Sequence, residues 1–349
     1  MDLSSKNKSP LLRHSHRAYG LNVLSSASVP GLTDEHTDVP KPDIILELGS
    51  EPDWVTSAIQ LPSIVQCSKP TIPEIGDPAF TLRTLGDEEF FELAYSDGTR
   101  FVVDRAAQQI WGTCPPPLTI EDIATYLLGP VMGFVLRRRG ILSLHASAVC
   151  IDGQAVVLCG ESASGKSTTA AALALQGIPV LCEDIAALTK EVDELQVEAG
   201  YPRICLWPDA VRDLYGTADA LPLLTPTWEK RYLPLDGGSA KFVAHRRPLR
   251  AIYLLAPRVA ENDAPRIEDL SARESLLELV QNSYMNWLLN RTQRGAEFDL
   301  LSRLVTQVPV RRIVPHTDTA RIGALCDLII SDAERVIALQ DSVGLVPLR

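Results

Sequence analysis

One octapeptide constrains this chain more than anything else in it. Gly160-Glu161-Ser162-Ala163-Ser164-Gly165-Lys166-Ser167 matches the phosphate-binding loop pattern G-x-x-x-x-G-K-S/T at every fixed position. The apolar run 155–159 precedes it and the alanine-rich stretch 168–175 follows, so strand, loop and helix arrive in the order phosphate binding needs. Glycines at both ends let the backbone curl until successive N–H groups point inward, and the helix adds its positive N-terminal end. In such a loop the backbone from Gly160 to Thr168 cradles the phosphates of ATP. Lys166 meets the β- and γ-phosphates as a point charge, and the Ser167 hydroxyl faces Mg²⁺. The alternative is a surface turn rich in Gly and Ser, which would need neither flanking element.

The rest of the chain sets bounds around that loop. Its 349 residues, 46% apolar and 22% charged, suffice for a sizeable core and two domains. A formal net charge of −11 argues against a nucleic-acid partner, which demands a basic face, and is compatible with a basic peptide or protein substrate. The seven cysteines include no C-x-x-C pair, which argues for a reducing compartment and against structural zinc. The longest apolar segment, 126–136, is too short to span a bilayer and is interrupted by Gly129-Pro130. With no secretory h-region at the start, the chain reads as cytoplasmic and without a membrane partner. A homo-oligomer is left open.

Residues 1–40, Ser-rich and basic up to 33, read as a flexible tail. Residues 41–117 read as a small β-rich N-terminal domain with strands at 44–48, 80–85, 90–95 and 101–103 and a hairpin turn at Ser96-Asp97-Gly98. Cys114-Pro115-Pro116-Pro117 makes a joint, and 118–349 reads as the catalytic domain. There Thr119 caps a helix with Asp122, and the helix runs to Arg139, its last-turn arginines facing the helix dipole or gripping an acidic substrate. Strands are predicted at 204–207 and 251–255, and helices at 209–215, 271–289, 297–305 and 319–339.

Two further groups reach the loop. Asp152-Gly153 is a strong two-residue hairpin turn; pairing Ile151 with Gln154 across it and counting back places His145 opposite Gly160. His145 is then either brought to the γ-phosphate end or is a hydrogen-bonded strand-end histidine. After the loop helix, the run 178–182 leads into Glu183-Asp184. A right-handed strand–helix–strand crossover makes the strands parallel and brings both acids to the loop's sheet edge. One acid can hold Mg²⁺ and one can accept a hydroxyl proton; Ser167 with Asp184 is the metal pair expected, and either acid can serve as base. Lys230, Arg231 and Arg203 are further phosphate or substrate candidates. Asp332 falls in a helical pattern and is set aside.

With these residues assembled, 144–188 resembles the catalytic domain of HPr kinase/phosphorylase: His145 on the strand before the loop, the loop at 160–167, and the acid pair Glu183-Asp184 after its helix. The stretches 201–209 and 249–253 look more like the HPr kinase-related tailoring kinases, some of which act on lasso-peptide precursors. The similarity spans 140–257. It implies an α/β fold, a P-loop kinase domain of the HPr kinase type behind a small N-terminal β-rich domain. It also implies an ATP- and Mg²⁺-dependent kinase for a serine hydroxyl of a peptide or small protein. His145, Glu183 and Asp184 would act at the reacting hydroxyl, and Lys166 and Ser167 on nucleotide and metal. Glu183 departs from the family's Asp-Asp pair, and the loop tied to phosphorylase activity is not recognisable, so reversal is not predicted. An NTP-hydrolysing switch, a small-metabolite kinase and a nucleotide-binding regulatory module are the alternatives.

Overall fold

The first described element is a hairpin where composition alone reads as tail. In the computed structural model His14–Ala18 (β1) pairs with Leu21–Ser25 (β2) across Tyr19-Gly20, both at positive φ, 54° and 76°. That is the backbone that two-residue hairpins favour. The assignment of 1–40 as a tail is therefore corrected: serines hid the alternation that turns Leu21, Val23 and Ser25 inward. Residues 1–13 and 35–40 of that stretch lie outside the described residues, which are 14–34, 41–69, 79–191, 194–238 and 240–343.

The chain divides into two units, Met1–Arg139 with Thr225–Thr227, and Gly140–Leu224 with Trp228–Arg349. In the first, the hairpin joins Ile44–Leu48 (β3), Ser63–Lys69 (β4), Phe80–Leu85 (β5), Phe90–Tyr95 (β6), Arg100–Asp104 (β7) and Gln109–Thr113 (β8); Asp53–Ala58 (α1) lies between β3 and β4. The sheet order is β1-β2-β3-β8-β7-β6-β5-β4, with Trp111, Phe101, Ile44 and Leu93 fully buried. Thr119 and Asp122 form the expected capping box for Ile120–Tyr126 (α2), which continues through a π turn at Leu127–Val131 into Met132–Arg138 (α3). The wider turn accommodates Pro130, which lacks the N–H an α-helix would use.

This helix belongs to the first unit, so the boundary falls after Arg139 and not after Pro117. The reason is aromatic packing: Tyr126 stacks on Tyr95 with centroids 4.0 Å apart, and Phe134 meets Phe91 edge-on at 5.2 Å. Arg138 lies 4.4 Å over the Phe91 ring, and Arg139 donates to the carbonyls of Asp43 and Ala107. The arginine run thus ties the helix to its own sheet.

The second unit contains Leu142–Ile151 (β9), Gln154–Cys159 (β10), Lys166–Leu175 (α4), Val180–Cys182 (β11), Ile185–Glu191 (β12), Glu194–Val197 (β13), Arg203–Leu206 (β14) and Pro208–Tyr215 (α5). Beyond these come Arg231–Pro234 (β15), Arg247–Leu255 (β16), Arg266–Asp269 (β17), Ala272–Gln281 (α6), Arg291–Gln307 (α7), Val310–Val314 (β18) and Ile322–Val343 (α8). β10 is buried between antiparallel β9 and parallel β16, and β18 continues parallel beyond β16. Its side chains alternate as a two-sided strand must. Val156 and Leu158 pack with Ala170, Leu173 and Ile329 of α4 and α8. Ala155, Val157 and Cys159 pack with Leu279, Leu301 and Leu304 of α6 and α7. This is an α/β arrangement, with helices on both faces of the strand that delivers the loop.

β11 runs parallel to β10, but β9 lies between them, because both pair antiparallel with it. β9 also changes partner along its length: 142–145 pair with β12 and 146–151 with β10. α6 stops at Gln281, short of the predicted 289, because the following backbone pairs with β9 instead; Tyr284 N–H donates to the Ser143 carbonyl at 2.8 Å. Among the described residues no helix is long and apolar enough to cross a membrane.

Candidate active site

The phosphate loop leaves β10 at Gly160 and enters α4 at Lys166. Gly160 and Gly165 take φ of 152° and 98°, and Gly160 is needed for space as well as conformation. A Cβ on Gly160 would stand 2.8 Å from Ser164 Oγ and 3.0 Å from the Leu255 carbonyl. Glu161, Ser162 and Ala163 are exposed, and Ser164, Ser167 and Thr168 half-buried. Lys166 is 6% exposed and turns its ammonium onto the carbonyls of Gly160 and Glu161, both at 2.8 Å. Burial draws its pKa below the ordinary lysine range, with the charges of Asp184 and Glu183 acting in the opposite sense.

The residues fit a polyphosphate. The two glycines keep open a cradle that side chains would fill, and Ser164 Oγ is buried with no hydrogen-bond partner among the described residues. An amine folded back onto carbonyls can exchange them for anionic oxygens.

The acid pair is split between two partners. Ser167 Oγ donates to Glu183 Oε1 at 2.7 Å. Burial, then the adjacent Asp184 charge, pushes Glu183 up to about 7. Asp184 takes φ of 65°, a left-handed conformation that turns its carboxylate the other way, toward β9. There Oδ1 lies 3.3 Å from His145 Nε2, and Tyr284 donates its hydroxyl to Oδ2 at 3.3 Å. Burial works to raise the Asp184 pKa, but the His145 hydrogen bond and charge, with Lys230 and Lys166, outweigh it and hold the group below the ordinary aspartate range.

The expected metal pair, Ser167 with Asp184, is not brought together: Ser167 meets Glu183 instead, and these two are the oxygen donors that could hold an ion. Two oxygen donors suit Mg²⁺, which keeps several waters and takes its other ligands from phosphate. Among the described residues, no cluster of three or more His, Cys, Asp and Glu side chains could hold a metal.

β9 and β10 pair Gln154 with Ile151 and Cys159 with Ala146, the register the Asp152-Gly153 turn predicts. His145 therefore sits one step beyond, where β9 passes from β10 to β12, and its backbone N–H donates to the Asn282 carbonyl at 2.8 Å. Of the three cations singled out, Lys230 reaches the site: its charge acts on both acids while its ammonium lies 4.7 Å over the exposed Trp207 ring. Arg203 instead stacks over Tyr232 at 4.3 Å, and Arg231 donates to the Leu221 carbonyl. Asp332 accepts from Tyr253, Arg311 and Arg335, a structural role away from the loop.

Tyr284 escapes sequence reasoning. It lies in a stretch that reads as helix, and only the departure of 282–284 to pair with β9 brings its ring against His145, centroids 5.9 Å apart at 81°.

No family model matches the chain, and no curated protein does. Among solved structures it is similar to the Hpr(Ser) kinase/phosphatase from Coxiella burnetii, at 15% identity and a TM-score of 0.32, over 57% of this chain and 95% of that one.

Proposed function

We propose that the protein is an ATP- and Mg²⁺-dependent kinase that transfers the γ-phosphoryl group to a serine hydroxyl of a peptide or small protein. The observation that carries the reading is the division of the two acids beside one phosphate loop: Glu183 on Ser167, Asp184 on His145. Phosphoryl transfer needs that separation, one carboxylate for the metal and one for the acceptor's proton. Lys166 and the loop amides hold the phosphates, and Ser167 and Glu183 would hold Mg²⁺. Bound there, the ion supplies positive charge against the phosphate oxygens. Asp184 takes the acceptor proton, with His145 and Tyr284 holding its carboxylate in place. A hydrolytic switch requires only a positioned water, and the aromatic and basic ledge of Trp207 and Lys230 beside the acids favours a larger acceptor.

Incubating the protein with γ-labelled ATP, Mg²⁺ and a library of seryl peptides should place acid-stable, base-labile label on serine. Release of inorganic phosphate with no label on any peptide or protein acceptor would overturn the kinase reading in favour of a switch.

Tyr284→Phe tests the arrangement around Asp184. Loss of a donor to the carboxylate removes stabilisation of its charged form, so its pKa rises. The acidic limb of the kcat profile should move to higher pH, with kcat at the plateau reduced about 10- to 100-fold and ATP affinity unchanged, in line with one hydrogen bond to a charged group. An unmoved limb would assign Tyr284 a packing role only.

A further inference from the structure

β16 runs parallel to β10 and pairs Leu254 with Cys159, so its C-terminal end arrives beside the phosphate loop. Ala256-Pro257 then leads to Arg258, whose Nη2 lies 3.2 Å from the place a Cβ on Gly165 would occupy. The guanidinium thus stands directly against the loop at the entry to α4. Several arginines of this unit are held by carboxylates: Arg250 by Glu194 at 2.5 Å, Arg266 by Glu261 at 2.7 Å, Arg311 by Asp332 at 2.6 Å. Arg258 is exposed and makes no hydrogen bond or ion pair among the described residues. It stands at the residue that opens α4, where the helix presents its positive N-terminal end. A cation held against like charge is repelled until an anion enters between them.

Resting on the nucleotide reading above, we propose that Arg258 is a second cation of the phosphate site, reaching it from β16 rather than from the loop's own motif. Its position at Gly165 puts it at the part of the loop that cradles the inner phosphates, while Lys166 extends toward the terminal one. The ligand class is a nucleoside di- or triphosphate, and the β-phosphate is the group Arg258 grips. A planar guanidinium offers two parallel donors to one phosphate, which a lysine cannot.

Binding distinguishes this directly. Dissociation constants of ATP, ADP and AMP, each with Mg²⁺, are measured by calorimetry on the full chain, as wild type, Arg258→Ala and Arg258→Lys. Arg258→Ala should weaken ATP and ADP alike, by about 10- to 100-fold, the worth of hydrogen bonds between charged groups. AMP should be unaffected, and Arg258→Lys should recover part of the loss. Unfolding temperature should not change, because the side chain has no partner to lose. Equal ATP and ADP affinities in wild type and Arg258→Ala overturn the role of Arg258 alone. Loss confined to ATP moves the contact to the terminal phosphate and overturns the β-phosphate assignment. Wild-type protein that binds neither nucleotide overturns Arg258 together with the phosphate site itself.

Discussion

Asp184→Asn should reduce phosphoryl transfer by about 10³-fold while leaving ATP affinity within about threefold of wild type. A general base contributes roughly 10² to 10⁴ in rate, and a carboxamide cannot accept the acceptor's proton. The substitution is a clean test for a backbone reason. Asp184 sits at φ of 65°, where most side chains are strained but asparagine is tolerated, so the fold at the site is preserved. The amide also keeps an oxygen for the Tyr284 hydroxyl, so what is removed is the negative charge that faces His145 Nε2 at 3.3 Å. Because His145 acts through that carboxylate, His145→Gln combined with Asp184→Asn should be little worse than Asp184→Asn alone, the non-additivity of groups that work as a unit. Single-turnover transfer of labelled phosphate reports the chemistry, and calorimetry reports the nucleotide. Transfer within tenfold of wild type would mean that another group takes the proton.

The parts of this site that sequence makes legible are those tied to local backbone rules. The octapeptide announces the loop, and Asp152-Gly153 sets the β9–β10 register, since a two-residue turn leaves no freedom in the count. The apolar run before Glu183 is the strand it reads as, and the acids that follow it lie beside the loop. The division between the acids is not legible, because it depends on the left-handed φ of Asp184, and nothing in the string Cys182-Glu183-Asp184-Ile185 encodes that sign. Nor are Tyr284 and Arg258. One is brought in by backbone that leaves a helical pattern to pair with β9, the other by the parallel pairing of β16 with β10 across about 95 intervening residues, from Cys159 to Leu254. In the first unit the alternating strands were readable, but the β1–β2 hairpin was masked by its serines. The α2–α3 helix goes with the sheet because of Tyr95 and Phe91, which are distant in sequence from Tyr126 and Phe134.

Glu183→Gln should stabilise the protein at pH 8, leave its stability nearly unchanged at pH 5, and at the same time remove most Mg²⁺-dependent transfer. The sign follows from where the carboxyl titrates. Its ordinary value is 4.5, and in the folded protein burial and the neighbouring Asp184 charge push it up to about 7. Between those two values the folded state binds a proton that the unfolded chain has released, so stability falls as pH rises through the window, and above about 7 the full cost of a buried charge is carried. At roughly 1.4 kcal/mol for each pH unit of separation that cost is on the order of 3 kcal/mol. Glutamine has the same length, is neutral at every pH, and still accepts from Ser167, so it relieves the cost without opening a cavity. With about 2–4 °C per kcal/mol for a domain of this size, the unfolding temperature at pH 8 should rise by several degrees, and calorimetric scans at pH 5 and 8 check it. If Ser167 and Glu183 hold the ion, added Mg²⁺ and ATP should raise the unfolding temperature of the wild type at pH 8 far more than that of Glu183→Gln, because the cation offsets the buried negative charge that the carboxylate carries at that pH and the glutamine does not. A gain of equal size at both pH values would mean that folding leaves the titration of Glu183 unshifted, and equal Mg²⁺ effects on the two proteins would remove it from the metal site. Wild-type stability would in that case have been given up for no function, whereas a pH-dependent gain coupled to lost Mg²⁺ response would identify the buried charge as the cost of holding the ion.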